Sequence, residues 1–312
     1  MTPVADRAAL SADRLIWERD GRHWPHRECS RFVDAGGLRW HVQQMGSGPV
    51  ALLIHGTGAA THSWRGLAPL LARHYTVIAP DLPGHGFTDT PRSASQGLSL
   101  PGMAAALRAL LAALGVEVSL IVAHSAGAAI ASRICLDVEG GAPKNQAWQP
   151  HALIALNGAF LPLAGLPGLL FPPVARLMAA TPIASRLFAW RASDRASVER
   201  LITGTGSRLD DEGIALYGQL VRNPVQAAGA LGRMAHWDVR PLVRELPQLA
   251  TPLHLIVGTQ DRAVPAEQAR SVQLLVPRAT LTRLPGLGHL AHEERPEEVA
   301  RVMEDQLLPM QA

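Results

Sequence analysis

The sequence feature that most constrains the fold is the pentapeptide Ala123-His124-Ser125-Ala126-Gly127. The apolar run Val118 to Val122 precedes it and predicts a buried strand, and an alanine-rich helical pattern follows it. A strand that turns sharply into a helix at a serine needs small neighbours, because backbone packs against backbone there. Such a turn holds the hydroxyl above the edge of the sheet. The pattern therefore makes Ser125 a candidate nucleophile.

The pentapeptide departs in one position from the usual pattern of such a turn, which is Gly-x-Ser-x-Gly. Ala123 replaces the first glycine, and alanine is small enough for the same packing. A serine between small residues is also common at an ordinary helix start. The pentapeptide alone leaves both interpretations open, and the other motifs have to decide between them.

Alternating strand and helix patterns surround this turn and predict a mostly parallel α/β sheet. The predicted strands are residues 31–33, 38–44, 50–54, 75–79, 118–122, 152–156, 253–257 and 280–284, and the predicted helices are 64–73, 100–114, 126–138, 265–275 and 296–307. The alternation stops at residue 158 and resumes at 250. We therefore predict a core of residues 29–157 and 250–312, an inserted helical cap of residues 158–249, and an N-terminal extension of residues 1–28 that packs onto the core.

A serine nucleophile needs a histidine base and an acid, and two later loops offer them. Asp261 follows the strand at 253–257, and His289 follows the last strand on a glycine-rich loop. Taken alone, Asp261 is equally well explained as the cap of a helix. His292 competes with His289 for the role of the base. The strand before the cap ends in Asn157-Gly158, which provides no acid. The order serine, acid, histidine in the right three loops favours Asp261 and His289.

The loop His55-Gly56-Thr57-Gly58 follows an early strand and can supply a backbone N–H to an oxyanion. We predict Thr57 as one donor and Ala126, the residue after the nucleophile, as the other. A phosphate-binding loop is excluded, because no Gly-Lys-Ser/Thr pattern follows these glycines. Chemistry of this kind requires neither an organic cofactor nor a metal ion.

Composition excludes several other classes of protein. The formal charge of +3 comes from scattered arginines, since Lys144 is the only lysine, and this does not indicate a nucleic-acid surface. Cys29 and Cys135 are too few for a disulfide framework. The first fifteen residues contain no secretory signal, and the apolar stretch 159–180 is interrupted by four prolines, which argues against a transmembrane helix. A cytoplasmic protein is expected, with peripheral membrane contact by the cap left open.

Five motifs together resemble the α/β-hydrolase superfamily over about residues 31–308: His55 to Gly58, Asp81 to Gly86, Ala123 to Gly127, Gly258 to Asp261, and Gly288-His289. More narrowly, the stretches Trp17 to Gly21, Trp24-Pro25, Gly36 to Gly46 and Gly58 to Trp64 are similar to the BchO-type magnesium-chelatase accessory proteins of bacteriochlorophyll synthesis. The resemblance implies an α/β-hydrolase fold and a role near the magnesium-insertion step. A tetrapyrrole or another apolar ester would be the substrate, and magnesium chelatase would be a partner.

Three functions remain open at this point. The first is a serine hydrolase in which Ser125 attacks, His289 transfers the proton and Asp261 orients His289. The second is an accessory protein without catalysis that binds a porphyrin or the chelatase. The third is a carbon–carbon bond hydrolase, since such enzymes use the same triad and a similar cap. Five apolar residues of the cap suit either a flat apolar ligand or simple packing on the core: Leu166, Leu169, Leu170, Phe171 and Met178.

Overall fold

The computed structural model describes residues 14–141, 148–162 and 194–307. Within these residues, eight strands form one sheet in the order β1-β2-β4-β3-β5-β6-β7-β8. They are β1 (Ser30–Ala35), β2 (Leu38–Met45), β3 (Val50–Ile54), β4 (Thr76–Pro80), β5 (Val118–His124), β6 (Ala152–Leu156), β7 (Leu253–Gly258) and β8 (Ala279–Leu284). Strand β2 pairs antiparallel with β1 and β4, and every pairing from β4 to β8 is parallel. The predicted mostly parallel α/β-hydrolase sheet is confirmed.

Helices cover both faces of the sheet. They are α1 (Trp17–Asp20), α2 (Leu67–Leu71), α3 (Ala94–Gly97), α4 (Leu100–Leu114), α5 (Ala126–Glu139), α6 (Arg195–Gly204), α7 (Asp211–Val221), α8 (Pro224–Ala235), α9 (Arg240–Glu245), α10 (Ala266–Leu275), α11 (Ala291–Glu294) and α12 (Pro296–Leu307). Buried side chains of α4, α5, α9 and α10 form one apolar layer on the sheet, and those of α2 and α12 form the other. Two-sided cover explains why the central strands read as continuous apolar runs.

The parallel register brings the functional loops to one edge of the sheet. Ile54 pairs with Ala123, and His124 pairs with Leu156, so that β3, β5 and β6 end side by side. Strands β7 and β8 continue the sheet in the same direction. The loops that follow these five strands therefore meet at a common carboxyl edge, which is where ligands bind in open α/β sheets.

The predicted helix at 64–73 is the one core element that differs clearly from the structure. A 3-10 turn (Thr61–Trp64) precedes α2, and Gly66 separates the two. Glycine is a poor helix former, and here it is also a packing site, because a Cβ on Gly66 would lie 2.7 Å from Pro296 Cγ. Arg65 and Gly66 have helical backbone angles, but the α-helix itself starts only at Leu67 and ends at Leu71.

Between β6 and β7 the described chain is helical, as predicted, and contains α6, α7, α8 and α9. Leu242 of α9 is buried in the same apolar layer as α5, so this helix packs on the core. The apolar residues from Leu166 to Met178 lie outside the described part of the chain. The division into a core and a cap at residues 158 and 249 stays a prediction.

The described part of the N-terminal extension, residues 14–28, packs onto the core. The Trp24 side chain is buried, and its Nε1–H donates to Thr61 Oγ1 at 2.9 Å. The Trp17 and Phe87 rings meet edge to face with centroids 4.9 Å apart. Asp81 holds the loop that carries Phe87, since its carboxylate accepts the N–H groups of Thr61 and Phe87 at 2.7 and 2.9 Å.

In the three described ranges, no helix has both the length and the apolar character needed to cross a bilayer. Cys29 and Cys135 are both free thiols.

Candidate active site

The backbone of Ser125 forms the sharp turn between β5 and α5. Its φ of 52° and ψ of −123° are rare for a residue with a side chain, and such strain persists only where the surroundings enforce it. The Ser125 N–H donates to Leu156 O at 3.0 Å, and its carbonyl accepts from the N–H groups of Ala128 and Ala159 at 3.0 and 2.9 Å. Three backbone hydrogen bonds thus hold the serine in place.

Glycines let neighbouring backbone approach this turn. A Cβ on Gly127 would lie 2.3 Å from Ile54 O, and a Cβ on Gly56 would lie 3.0 Å from Ser125 Cβ. Helix α5 and the loop after β3 therefore touch at distances that no larger residue allows. The predicted need for small residues is confirmed at Gly127, and Ala123, which replaces the usual glycine, is fully buried in β5.

His289 joins Ser125 to Asp261. His289 Nε2 lies 3.0 Å from Ser125 Oγ, and His289 Nδ1 lies 2.8 Å from Asp261 Oδ2. With Nδ1–H donating to the carboxylate, Nε2 is the acceptor for the serine proton. The competing His292 is buried, and neither of its ring nitrogens has a hydrogen-bond partner among the described residues. The structure thus brings together the three predicted side chains, Ser125, Asp261 and His289.

Asp261 has further partners that fix its orientation. Its Oδ1 accepts the N–H groups of Ala263 and Val264, both at 2.8 Å. Its Oδ2 accepts from Asn157 Nδ2 at 2.7 Å as well as from His289. Hydrogen bonds of this kind stabilise an ionised carboxylate in a buried place. Asp261 therefore does cap its own loop, as its alternative interpretation held, and it also orients His289.

Asn157 is a site residue that sequence reasoning passed over. It follows β6 at the functional edge, and its φ of 49° is again unusual for a residue with a side chain. The sequence pattern at Asn157 indicated only that this strand end provides no acid. The same position could have suggested a partner for the acid, because the ends of neighbouring parallel strands lie close together.

His124 is a second residue that the sequence analysis did not assign. Its Nε2 lies 2.9 Å from the carbonyl oxygen of His289, to which it donates. Burial, together with the nearby His292 and His289, keeps the pKa of His124 well below its usual range. A neutral His124 therefore holds the loop of His289 without adding a charge beside it.

The segment Thr205 to Ser207, between α6 and α7, connects the two triad loops. Thr205 O accepts the N–H groups of Arg262 and His289, at 3.0 and 3.4 Å. Ser207 Oγ accepts the N–H of Leu290 at 2.8 Å. A Cβ on Gly206 would lie 1.8 Å from Gln260 O. Residues far from either loop in sequence thus set the distance between Asp261 and His289.

The two predicted oxyanion donors, the backbone amides of Thr57 and Ala126, lie near Ser125. Thr57 follows Gly56, which packs against Ser125, and Thr57 N–H donates to no described residue. Ala126 is the first residue of α5, so its N–H has no acceptor one turn earlier in the helix. Unpaired N–H groups at a helix start suit a developing negative charge. Within the described residues, no cluster of His, Cys, Asp and Glu side chains could hold a metal ion.

A family model described as alpha/beta hydrolase family matches residues 51–302, which is most of the chain. The chain belongs to the alpha/beta hydrolase family. Among curated relatives, the magnesium-chelatase 30 kDa subunit of Rhodobacter capsulatus is 38% identical to it, over 87% of this chain and 92% of that protein. This similarity confirms the narrower resemblance seen in the sequence.

Other members of the family are more distant. Pyrrolizixenacetamide deacetylase of Xenorhabdus hominickii is 29% identical, over 84% of this chain and 92% of that protein. The crystal structure of an alpha/beta hydrolase fold protein from Burkholderia ambifaria superposes with a TM-score of 0.72 at 24% identity. That match covers 89% of this chain and 97% of the other, and it supports the fold.

Buried histidines surround the triad of this hydrolase-family protein. Burial is the main cause that lowers the pKa of His55 to about 4, and those of His62 and His292 to about 3. These histidines are neutral in the folded protein at pH 5 to 7. An unfolded histidine titrates near pH ~6.5 and takes up a proton below that pH. The stability that they contribute is therefore complete above pH ~6.5 and is lost progressively as the pH falls.

We expect the free energy of unfolding to drop by about 2 kcal/mol for each such histidine between pH 7 and pH 5. Replacing His292, which lies between the Trp64 and His124 rings, by phenylalanine should reduce the total drop by about that amount. Urea unfolding at the two pH values measures it. The exposed His23 provides the control, His23→Phe, which should behave like the wild type. An unchanged drop in His292→Phe would contradict this account.

Proposed function

We propose that this protein is a serine hydrolase that cleaves an ester or a similar acyl bond. The observation that carries the proposal is the hydrogen-bonded chain from Ser125 Oγ through His289 to Asp261, with separations of 3.0 and 2.8 Å. A serine hydroxyl is a poor nucleophile until a base removes its proton, and this arrangement is the one that does so.

In the proposed reaction, Ser125 Oγ attacks the substrate carbonyl while His289 Nε2 accepts the hydroxyl proton. Asp261 stabilises the resulting imidazolium through Nδ1–H. His289 then gives the proton to the leaving alcohol, and an acyl group remains on Ser125. Water, activated by the same histidine, releases the acid and restores the serine.

The tetrahedral intermediate places a negative charge on the former carbonyl oxygen. We assign the N–H groups of Thr57 and Ala126 as the donors that stabilise it. Each such donor typically contributes about 10²- to 10³-fold in rate, because it is oriented before the charge develops. The neutral His124 and His292 beside His289 leave the imidazolium as the one positive group that forms during the reaction.

The similarity to the magnesium-chelatase subunit of Rhodobacter capsulatus supports a place in bacteriochlorophyll synthesis near the chelatase step. The proposed substrate is an apolar ester, with a tetrapyrrole as the leading candidate, and magnesium chelatase is the proposed partner. A cytoplasmic location with peripheral contact at a membrane fits these assignments. Residues 158–249 would then serve as the cap over the substrate.

Ser125→Ala should lower kcat for a 4-nitrophenyl acyl ester by about 10⁴- to 10⁶-fold, because the attacking oxygen is lost. Asp261→Asn should lower it by about 10⁴-fold, since the histidine then adopts the wrong tautomer. Steady-state hydrolysis of the ester, followed by nitrophenol absorbance, measures both effects. Ser119→Ala, a change at the opposite end of β5, is the matched control and should keep the wild-type rate. Activity retained by Ser125→Ala would contradict the proposal.

A second candidate is an accessory protein that acts without catalysis, and the name of the same relative as a chelatase subunit favours it. A Rhodobacter capsulatus strain that lacks its own 30 kDa subunit distinguishes the two functions. If catalysis is the role, the wild-type gene restores pigment, and Ser125→Ala does not, although its protein level is normal. Full restoration by Ser125→Ala would instead establish the accessory role. No pigment defect in the deleted strain would reject the pathway assignment.

A further inference from the structure

Arg233, on α8, is a fully buried arginine. Its Nε, Nη1 and Nη2 atoms all lack an acceptor among the described residues. The Trp237 ring lies 5.1 Å from the guanidinium carbon, which gives a cation–π contact but accepts no directed hydrogen bond. An arginine side chain carries five N–H donors, and buried donors in folded proteins are normally paired with acceptors.

Such an arrangement is costly unless something pairs with the cation. Burial lowers the pKa of Arg233 to about 9, so the guanidinium still carries its charge at neutral pH. Buried charges in folded proteins are normally paired, because a lone charge in a low-dielectric interior loses its hydration without compensation. Its pKa is lowered by burial alone, and no carboxylate raises it. Among the described residues, the buried guanidinium is therefore a candidate binding group for an anion.

The place of Arg233 connects it with the candidate active site. Its charge is near enough to lower the pKa values of both His55 and His85, whose rings lie 5.5 Å apart. His55 immediately precedes Gly56, the residue that packs against Ser125. Arg233 is thus close to the histidine that precedes the loop of the proposed oxyanion donor Thr57.

Gln226 provides a second buried donor on the same helix. Residues seven apart lie on one face of a helix, so Gln226 and Arg233 share a face of α8. The Gln226 Oε1 accepts the Gly86 N–H at 2.7 Å, while its Nε2 has no partner among the described residues. Between them, Gly229 packs on the loop, since a Cβ there would lie 1.9 Å from Gly84 O. Helix α8 is therefore fixed against the loop with two donor groups unused.

A hydrogen bond from Arg233 to a neighbouring protein group would still leave most of its N–H donors unpaired. His85 Nδ1 lies 3.1 Å from Pro83 O, to which it donates, so that Nε2 is an acceptor. That nitrogen is also unpartnered among the described residues. A contact between it and Arg233 would occupy one of the five guanidinium N–H groups. The planar fork that remains matches the two oxygens of a carboxylate, and a single positive charge matches a single negative one.

We propose that Arg233, assisted by Gln226, binds a carboxylate on the substrate, so that the natural substrate is an ester which also carries a free carboxylate. The inference rests on the proposed hydrolase function and adds the chemical class of its substrate. The carboxylate of the ester would lie on α8 and its scissile carbonyl at Ser125.

The test compares two esters of one size, 4-nitrophenyl hydrogen glutarate, which has a free carboxylate, and its methyl-capped diester. Wild-type protein should show a higher kcat/KM for the free acid. Arg233→Met should lower the ratio of the two kcat/KM values by about 10- to 100-fold, the usual loss of a hydrogen-bonded ionic contact. Arg233→Lys should lose less, because it keeps the charge. Arg200→Met, at an exposed arginine of α6, should leave the ratio unchanged.

Binding separates this inference from the proposed function. Titration calorimetry of the glutarate monoester with Ser125→Ala, and with the double variant Ser125→Ala, Arg233→Met, needs no hydrolysis. If the double variant loses binding, the carboxylate site is supported, whether or not the wild type cleaves the esters. If the wild type cleaves neither ester, only the hydrolase proposal is contradicted. Equal affinity for both variants, or no preference for the free acid in either assay, would overturn the site. Arg233→Met should melt no lower than the wild type, since it removes an unpaired buried charge, and a marked loss of stability would equally overturn it.

Discussion

The strained backbone of Ser125 is the constraint on which the rest of the site depends. A residue with a φ of 52° can be held between β5 and α5 only if its amide and carbonyl are both paired and its neighbours are small. Leu156 at the end of β6 and Ala159 after it supply partners from the next strand. Gly127 lets α5 pack on the end of β3. The candidate nucleophile, the proposed oxyanion loop and the edge that carries Asp261 are thus positioned by one turn.

Much of this arrangement was predictable from local sequence patterns. The strands around Ser125 are continuous apolar runs with clear ends, and the order serine, acid, histidine identified the loops of Asp261 and His289. The partners of these residues were not predictable in the same way. Asn157, His124 and the segment 205–207 act through contacts with residues distant in sequence, and nothing in their local patterns distinguishes them. The helix predicted at 64–73 is shorter in the structure, where α2 covers Leu67–Leu71, and the contact of Gly66 with Pro296 is again a long-range one.

The polar groups near Ser125 are stabilised in different ways. Asp261 is buried, and its two oxygens accept four hydrogen bonds, from Asn157, Ala263, Val264 and His289. His55, His62, His124 and His292 are buried in the neutral form, which removes the cost of charge. Arg233 is charged and has no hydrogen-bond partner among the described residues. This difference from the other buried groups is why we assign Arg233 to ligand binding. In the proposed mechanism one proton moves between Ser125 and His289, and in the proposed carboxylate site Arg233 supplies the cation.

A crystal structure of the protein after treatment with a small alkyl fluorophosphonate tests most directly whether Ser125 is a nucleophile whose tetrahedral intermediate is stabilised by preset amides. The account predicts a covalent adduct on Ser125 Oγ, with the phosphonyl oxygen within about 2.7–3.1 Å of the Thr57 and Ala126 nitrogens. An unmodified Ser125 after full access of the reagent, or an adduct whose oxygen contacts neither amide, would contradict it.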